Sequence, residues 1–228
     1  DVLVVDIQDV GLRFYTYYIS MLQLMNACAK TKTTMMILDR PNPNGCYVDG
    51  PVLDMKYKSG VGALPIPVVH GLTLAEMASM INGEGWLEGG EPCQLDIIAC
   101  HNYTHSTRYK LPIAPSPNLP NMQAIYLYPS ICLFEGTVVS LGRGTSLPFQ
   151  QYGHPQMVGY KYGFIPRSVA GAKNPPQLNQ LCFGVNLSRK PQEEIIKRGF
   201  DLTYVIDAYR NLNMGERFFT PFFTKLVG

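Results

Sequence analysis

Charge is scarce in this sequence. Only 16% of its 228 residues are Asp, Glu, Lys or Arg, and 19 basic against 17 acidic side chains leave a formal net charge of +2. A balance so near neutral offers no electrostatic footprint for nucleic acid or anionic lipid. Long apolar runs are missing too: no stretch of about 18 apolar residues occurs, which excludes a membrane-spanning helix. The six cysteines contain no Cys-x-x-Cys pair, and Cys93 and Cys100 lack ligand-like spacing to His101 or His105, so no metal site is expected. Cys28, Cys100 and Cys132 lie in apolar segments and read as core thiols. No Gly-x-Gly-x-x-Gly follows a strand, no phosphate loop ends in Gly-Lys-Ser/Thr, and no Gly-x-Ser-x-Gly elbow occurs. A leader pattern is also lacking. The chain opens on the strand-like Asp1-Val-Leu-Val-Val-Asp6 and closes at Lys225–Gly228 without a terminal element, as expected of a chain cut at both ends.

What is present builds a core: 46% of residues are hydrophobic, while 18 Pro, 21 Gly and 14 Tyr point to ordered loops and an aromatic-lined cleft. Val2–Val5 reads as a parallel strand buried on both faces, and residues 13–29 carry Tyr15, Tyr18, Ile19, Leu22, Met25 and Ala29 at helical spacing. Met35–Leu38 is a second strand, and the two prolines of Arg40–Gly45 exclude a helix after it. Pro65–Val69 reads as extended, and Thr73 with Glu76 forms a capping box before Leu74, Met77, Ala78 and Ile81. Leu95–Ala99 is a third strand. Pro112–Pro120 is a rigid loop, Gln123–Leu133 a helix limited by Pro129, and Val138–Leu141 a fourth strand. The texture changes near residue 150, beyond which Leu181–Leu187 reads as a strand and Phe200–Leu212 as an amphipathic helix. The expected fold class is therefore α/β, a mostly parallel sheet layer over residues 1–150, followed by a smaller α+β domain over 151–228.

Ligands of such sheets bind beyond the carboxyl ends of the strands, and the polar residues gather there. Asp6, Gln8 and Asp9 follow the first strand and lead into Arg13 and Tyr15, a set suited to a polyhydroxylated ligand. Equally, Asp9 can cap the following helix while Asp6 pairs with Arg13. In Asp39-Arg-Pro-Asn-Pro-Asn-Gly45 the prolines hold Arg40, Asn42 and Asn44 ready for a ligand, or the amides bond their own turn. His70 and His101 suit proton transfer or a buried structural role, whereas His105 and His154 read as surface residues. Glu135 follows the apolar Cys132-Leu-Phe134. That setting favours the protonated form and a general acid, although an ion pair with Arg143 fits as well.

Several of these loops together resemble one family. Asp6-Ile-Gln-Asp-Val-Gly11 with Arg13-Phe-Tyr-Thr16, Asp39–Gly45 with Asp49-Gly-Pro51, Pro115-Ser-Pro-Asn-Leu-Pro-Asn121, Phe134-Glu-Gly-Thr137 and Gly142-Arg-Gly-Thr145 are similar to exo-β-N-acetylmuramidases of the NamZ type. The resemblance implies a Rossmann-like catalytic layer, a smaller carboxy-terminal domain, no cofactor and no metal. It also implies release of N-acetylmuramic acid from the non-reducing ends of peptidoglycan fragments, in a periplasmic or secreted setting. Members carry an amino-terminal Pro-Glu-His-Gly motif expected to supply a catalytic glutamate, and this chain does not contain it. Glu135, Asp9 and His70 are then the catalytic candidates. Asp6, Gln8, Arg13, Tyr15, Arg40, Asn42, Asn44, Asn121 and Arg143 are the candidates for binding the sugar, with Tyr15 or Tyr126 stacking on the ring. Two other readings stand beside it: a muramyl-sugar-binding protein without chemistry, and an α/β enzyme using Arg143 to hold a phosphorylated small molecule.

Overall fold

Three short apolar runs become one parallel sheet. In the computed structural model, which describes residues 1–228, β1 (Val2–Val5), β2 (Thr34–Leu38) and β5 (Leu95–Ile98) pair in the order β1-β2-β5. Leu3 faces Met35 and Val5 faces Ile37 across the first pair. Alternation along a strand puts these four on one side of the sheet. There they meet α1 (Tyr17–Thr31) and α2 (Leu74–Gly83). Tyr18, Met21, Leu22, Met25 and Cys28 recur on one side of α1 and are all buried. Each such side chain contributes ~1.5–3 kcal/mol when taken from water. Lys32, in the left-handed conformation, ends α1 by returning its N–H to Ala29 and Cys28 carbonyls. The opposite side of the sheet, with Val2, Val4 and Ile98, is exposed, so β1 is covered on one face rather than two.

The helix expected from residue 13 starts at Tyr17, because the preceding backbone is already engaged. Leu12 bridges Val69 and the Arg13 N–H donates to the Val68 carbonyl. This adds the chain to the antiparallel ribbon of β3 (Asp49–Val52) and β4 (Pro67–Val69). The capping box of α2 forms as expected: Thr73 Oγ1 accepts from the Glu76 N–H while Glu76 Oε2 accepts from the Thr73 N–H.

The chain divides into two compact units, Asp1–Lys110 with Gly228, and Leu111–Val227. That division falls about forty residues before the expected boundary near 150. The reason lies in α3 (Met122–Ile131), which is buried on every side and makes its bonds within the second unit. Gln123 Nε2 donates to the Leu187 and Lys190 carbonyls, and the Asp201 N–H donates to Ser130 Oγ. Pro129 sits inside α3, which passes into a 3-10 turn over Cys132–Gly136. The expected strand at Val138–Leu141 is not a strand: Ser140 makes a single antiparallel bridge to Gly153 and the Val138 N–H goes to Phe218. Around α3 stand an antiparallel sheet and three helices. The sheet consists of β6 (Gln151–His154), β7 (Tyr162–Phe164) and β8 (Cys182–Asn186) in the order β6-β8-β7, and the helices are α4 (Gln192–Arg198), α5 (Thr203–Leu212) and α6 (Phe222–Val227). The α/β class, a parallel layer followed by an α+β part with an antiparallel sheet, is the architecture observed. No helix is long and apolar enough to cross a membrane.

Candidate active site

Four loops of the first unit are stitched together beyond the ends of their strands. Asn42 Oδ1 accepts from the Asn44 N–H at 2.8 Å, and Asn42 Nδ2 donates to the Leu72 carbonyl at 2.9 Å. Asn44 Nδ2 donates to the Val10 carbonyl at 2.8 Å, and Gln8 Nε2 donates to the Pro41 carbonyl at 2.9 Å. The two asparagines therefore bind backbone, as a self-satisfied turn would, but the backbone belongs largely to neighbouring loops. Gly11 shows why the packing is close: its φ is +81°, and a Cβ there would stand 2.3 Å from the Asn42 amide oxygen. Asp39 Oδ1 accepts from the Ala75 N–H, anchoring the end of β2 to the first turn of α2. From the loop after β5, the Tyr103 hydroxyl accepts from the Asn42 N–H and donates to the Asn42 carbonyl.

Asp9 and His70 hang from this framework by the same residue. The Gly11 N–H donates to Asp9 Oδ1 at 2.7 Å, and the Gly11 carbonyl accepts from the His70 N–H at 3.3 Å. The other carboxylate oxygen of Asp9, Oδ2, is buried without a partner, and burial pushes the group up to about 7. His70 Nδ1 accepts from the Leu72 N–H at 3.2 Å, so the neutral ring carries its proton on Nε2. That Nε2 is likewise buried and unpartnered, and burial pushes His70 down to about 4. A buried polar atom left unbonded costs ~1–3 kcal/mol. Asp9 and His70 each bring such an atom to one loop framework.

The other expected residues take different places. Arg13 is fully enclosed: Nη1 donates to the Pro51 and Ile66 carbonyls, so it braces the β3–β4 ribbon instead of reaching a ligand. Asp6 pairs with Arg40, not Arg13, through Nε to Oδ1 at 2.5 Å and Nη2 to Oδ2 at 3.0 Å. That bond holds the exposed Asp6 carboxyl below its usual range. Tyr15 is buried, with its ring 4.7 Å from that of Tyr17. Asp9 bonds Gly11 rather than capping α1, whose first turn has no side-chain cap. His101 is exposed.

In the second unit Asn121 caps α3, its Oδ1 accepting from the Ala124 N–H at 2.9 Å. Tyr126 is buried within that helix. Glu135 takes the ion-pair alternative: Arg143 donates to Oε1 from Nε at 2.7 Å and from Nη2 at 2.5 Å. Phe149 lies 4.8 Å beneath the guanidinium, and the two side chains keep 28% (Arg143) and 23% (Glu135) of their surface exposed. The pair is thus fixed yet reachable from solvent. His154, expected at the surface, is buried in β6, where its Nδ1 accepts from the Gln156 N–H and burial lowers its pKa. Among the expected core thiols, Cys28 and Cys132 are buried whereas Cys100 is half-buried beside the Asp39 carbonyl. No three His, Cys, Asp or Glu side chains gather as a metal site would require.

Sequence reasoning missed Tyr103 and His105. His105 is exposed as expected, but Nδ1 lies 3.0 Å from the Gly45 carbonyl oxygen and Nε2 3.0 Å from Glu76 Oε1. A motif scan carries no signal for them, because they serve a turn sixty residues away.

Comparison with known proteins agrees with this architecture. Residues 1–123 match the model of the amino-terminal domain of exo-β-N-acetylmuramidase NamZ, and residues 126–228 match that of its carboxy-terminal domain. The peptidoglycan β-N-acetylmuramidase NamZ of Bacillus subtilis (strain 168) is 41% identical over 160 residues, covering 68% of this chain and 38% of that protein. A crystallised DUF1343 family protein of Bacteroides fragilis NCTC 9343 is 71% identical, with a TM-score of 0.99 over the whole chain and 65% of its own length. A second from the same organism is 25% identical, with a TM-score of 0.74 over the whole chain and 64% of its own length. The chain thus spans less than two thirds of each relative.

Proposed function

The chain belongs to the NamZ exo-β-N-acetylmuramidase family, and from that premise we propose that it is the core of a glycosidase releasing N-acetylmuramic acid from the non-reducing ends of peptidoglycan fragments. The observation that carries the reading is the pair of buried, unpartnered atoms on one loop framework, Asp9 Oδ2 and His70 Nε2. Glycoside hydrolysis needs a carboxyl group able to donate and recover a proton near neutral pH. Asp9, pushed up to about 7, has that property. The neutral His70 presents an Nε2–H donor suited to a sugar hydroxyl or the acetamido carbonyl.

In the second unit Arg143 is held by Glu135 and seated on Phe149. Its commitment to Glu135 weighs against a phosphate site. Asn42, Asn44 and Asn121 commit side-chain bonds to backbone and so shape loops rather than meet the sugar; a sugar-binding protein without chemistry is the second reading. Peptidoglycan lies outside the cytoplasmic membrane, so this reading goes with a periplasmic or secreted enzyme in cell-wall recycling. The test is turnover of a MurNAc–GlcNAc disaccharide: free N-acetylmuramic acid supports the hydrolase, whereas saturable binding without product supports the second reading.

A further inference from the structure

We propose that His105 is a positioning residue, whose imidazolium clamps the Asn42–Gly45 turn to the start of α2. The argument rests on what its two ring nitrogens face. Nδ1 meets the Gly45 carbonyl and Nε2 meets Glu76 Oε1, both at 3.0 Å. A carbonyl and a carboxylate oxygen only accept, so both bonds form together only when both nitrogens carry a proton. Glu76 is fixed for this role because its other oxygen, Oε2, accepts the Thr73 N–H of the capping box at 2.8 Å.

His105 and Tyr103 are alternate residues of one loop, and they grip the turn at its two ends, Tyr103 at Asn42 and His105 at Gly45. The loop is braced in its own right, with the Thr104 N–H donating to Thr107 Oγ1 at 3.0 Å. The turn in its place carries Asn42 and Asn44, which bond the Leu72 and Val10 carbonyls and so fix the loops of His70 and Asp9. Around His105 the ionisable groups are Glu76 from α2, Tyr103 and Arg108 from its own segment, and Cys46 beside the turn. Arg108 Nη1 is directed to Cys46 Sγ at 3.2 Å. Asp39 is committed to the Ala75 N–H at the same helix end. The Gly45 carbonyl first, and then Glu76, hold His105 above its ordinary 6.5. The clamp is therefore complete below 6.5 and is released as pH rises through the raised value.

Only the catalytic consequence rests on the muramidase reading; the structural consequence is measured without substrate. The experiment follows amide-exchange protection of Asn44 and Gly45 from pH 6 to 9, together with the NMR titration of the His105 ring, in this chain and in His105→Ala and Glu76→Gln. Expected is a His105 pKa above 6.5 and protection that falls about two- to tenfold as the ring loses its proton. His105→Ala gives low protection throughout. Glu76→Gln retains it across the range, since Gln still supports the capping box and its amide N–H can donate to a neutral Nε2. A His105 that titrates at or below 6.5, or protection indifferent to pH and to His105→Ala, overturns the clamp. If the clamp behaves as expected and no N-acetylmuramic acid is released, the muramidase reading fails alone. If product forms, its pH profile is displaced in Glu76→Gln relative to the parent chain.

Discussion

The two units solve the problem of holding a carboxyl group in opposite ways. In the second, Glu135 is matched by Arg143 through two bonds, and the pair keeps a face to solvent. In the first, Asp9 is buried with backbone N–H groups at one oxygen, that of Gly11 at 2.7 Å, while Oδ2 has no partner. A matched pair is a settled arrangement, able to orient a guanidinium but with no spare capacity on the carboxylate oxygen it uses. An unmatched buried carboxyl retains its proton into the neutral range. The difference makes Asp9, rather than Glu135, the group suited to proton transfer in the proposed reaction.

The sharpest way to break this comparison is turnover of the disaccharide. Asp9→Asn is expected to lower kcat by ~10²–10⁴, the usual contribution of a positioned acid or base. Glu135→Gln, which removes a carboxylate already matched by Arg143, should instead leave kcat within about tenfold of the parent. Equal losses of kcat in both variants would erase the distinction.

Next in size is the pH dependence of stability, where Asp9 and His70 pull in opposite directions. Asp9 is raised from 3.8 to about 7, so the folded unit loses stability as pH rises across that window. His70 is lowered from 6.5 to about 4, so stability is lost as pH falls through its window. Each effect is on the order of 3–4 kcal/mol, and between about pH 4 and 6.5 they largely cancel. Asp9→Asn should therefore unmask a rise in stability with pH, and His70→Gln a fall. Trp86, the only tryptophan in the sequence and packed against the first unit's core, reports the unfolding by fluorescence. Parallel pH profiles in all three proteins would contradict the burial argument.

A smaller contrast separates the asparagines. Asn42→Ala removes bonds to the Asn44 N–H and the Leu72 carbonyl in a buried site and should cost ~2–3 kcal/mol in urea unfolding. Asn121→Ala removes one helix cap and should cost ~1 kcal/mol. Smallest of all, Asp6→Asn breaks an exposed ion pair with Arg40, and its unfolding midpoint should match that of the parent at moderate salt.

Much of the first unit was legible in the sequence because its signals are local. The apolar runs of β1 and β2, the spacing of α1 and the Thr73–Glu76 box each depend on neighbours within a few residues. The resemblance to the muramidase family rested on loops of the same kind. What failed depended on distant partners. Val138–Leu141 is apolar enough for a strand, yet Ser140 finds only Gly153 and Val138 only Phe218. Arg13 looked like a ligand-binding cation beside Asp6, but the carbonyls of Pro51 and Ile66 claim it. Asp9 stands out in the sequence as a carboxylate after the first strand, but its burial was not readable from Asp6-Ile-Gln-Asp9. The turn at Asn42–Gly45 was legible as rigid, while the Tyr103 and His105 that hold it were not. Nothing in their spacing marks a contact across about sixty residues.

The most direct test of the account is release of free N-acetylmuramic acid from a MurNAc–GlcNAc disaccharide, measured across pH 5 to 8. The proteins compared are this chain, the same chain extended to the length of its crystallised relatives, and Asp9→Asn in whichever of them is active. Product that disappears in Asp9→Asn, with a pH limb near 7 in the parent, is the predicted result. Undiminished product from Asp9→Asn, or none from either parent when well folded, would contradict it.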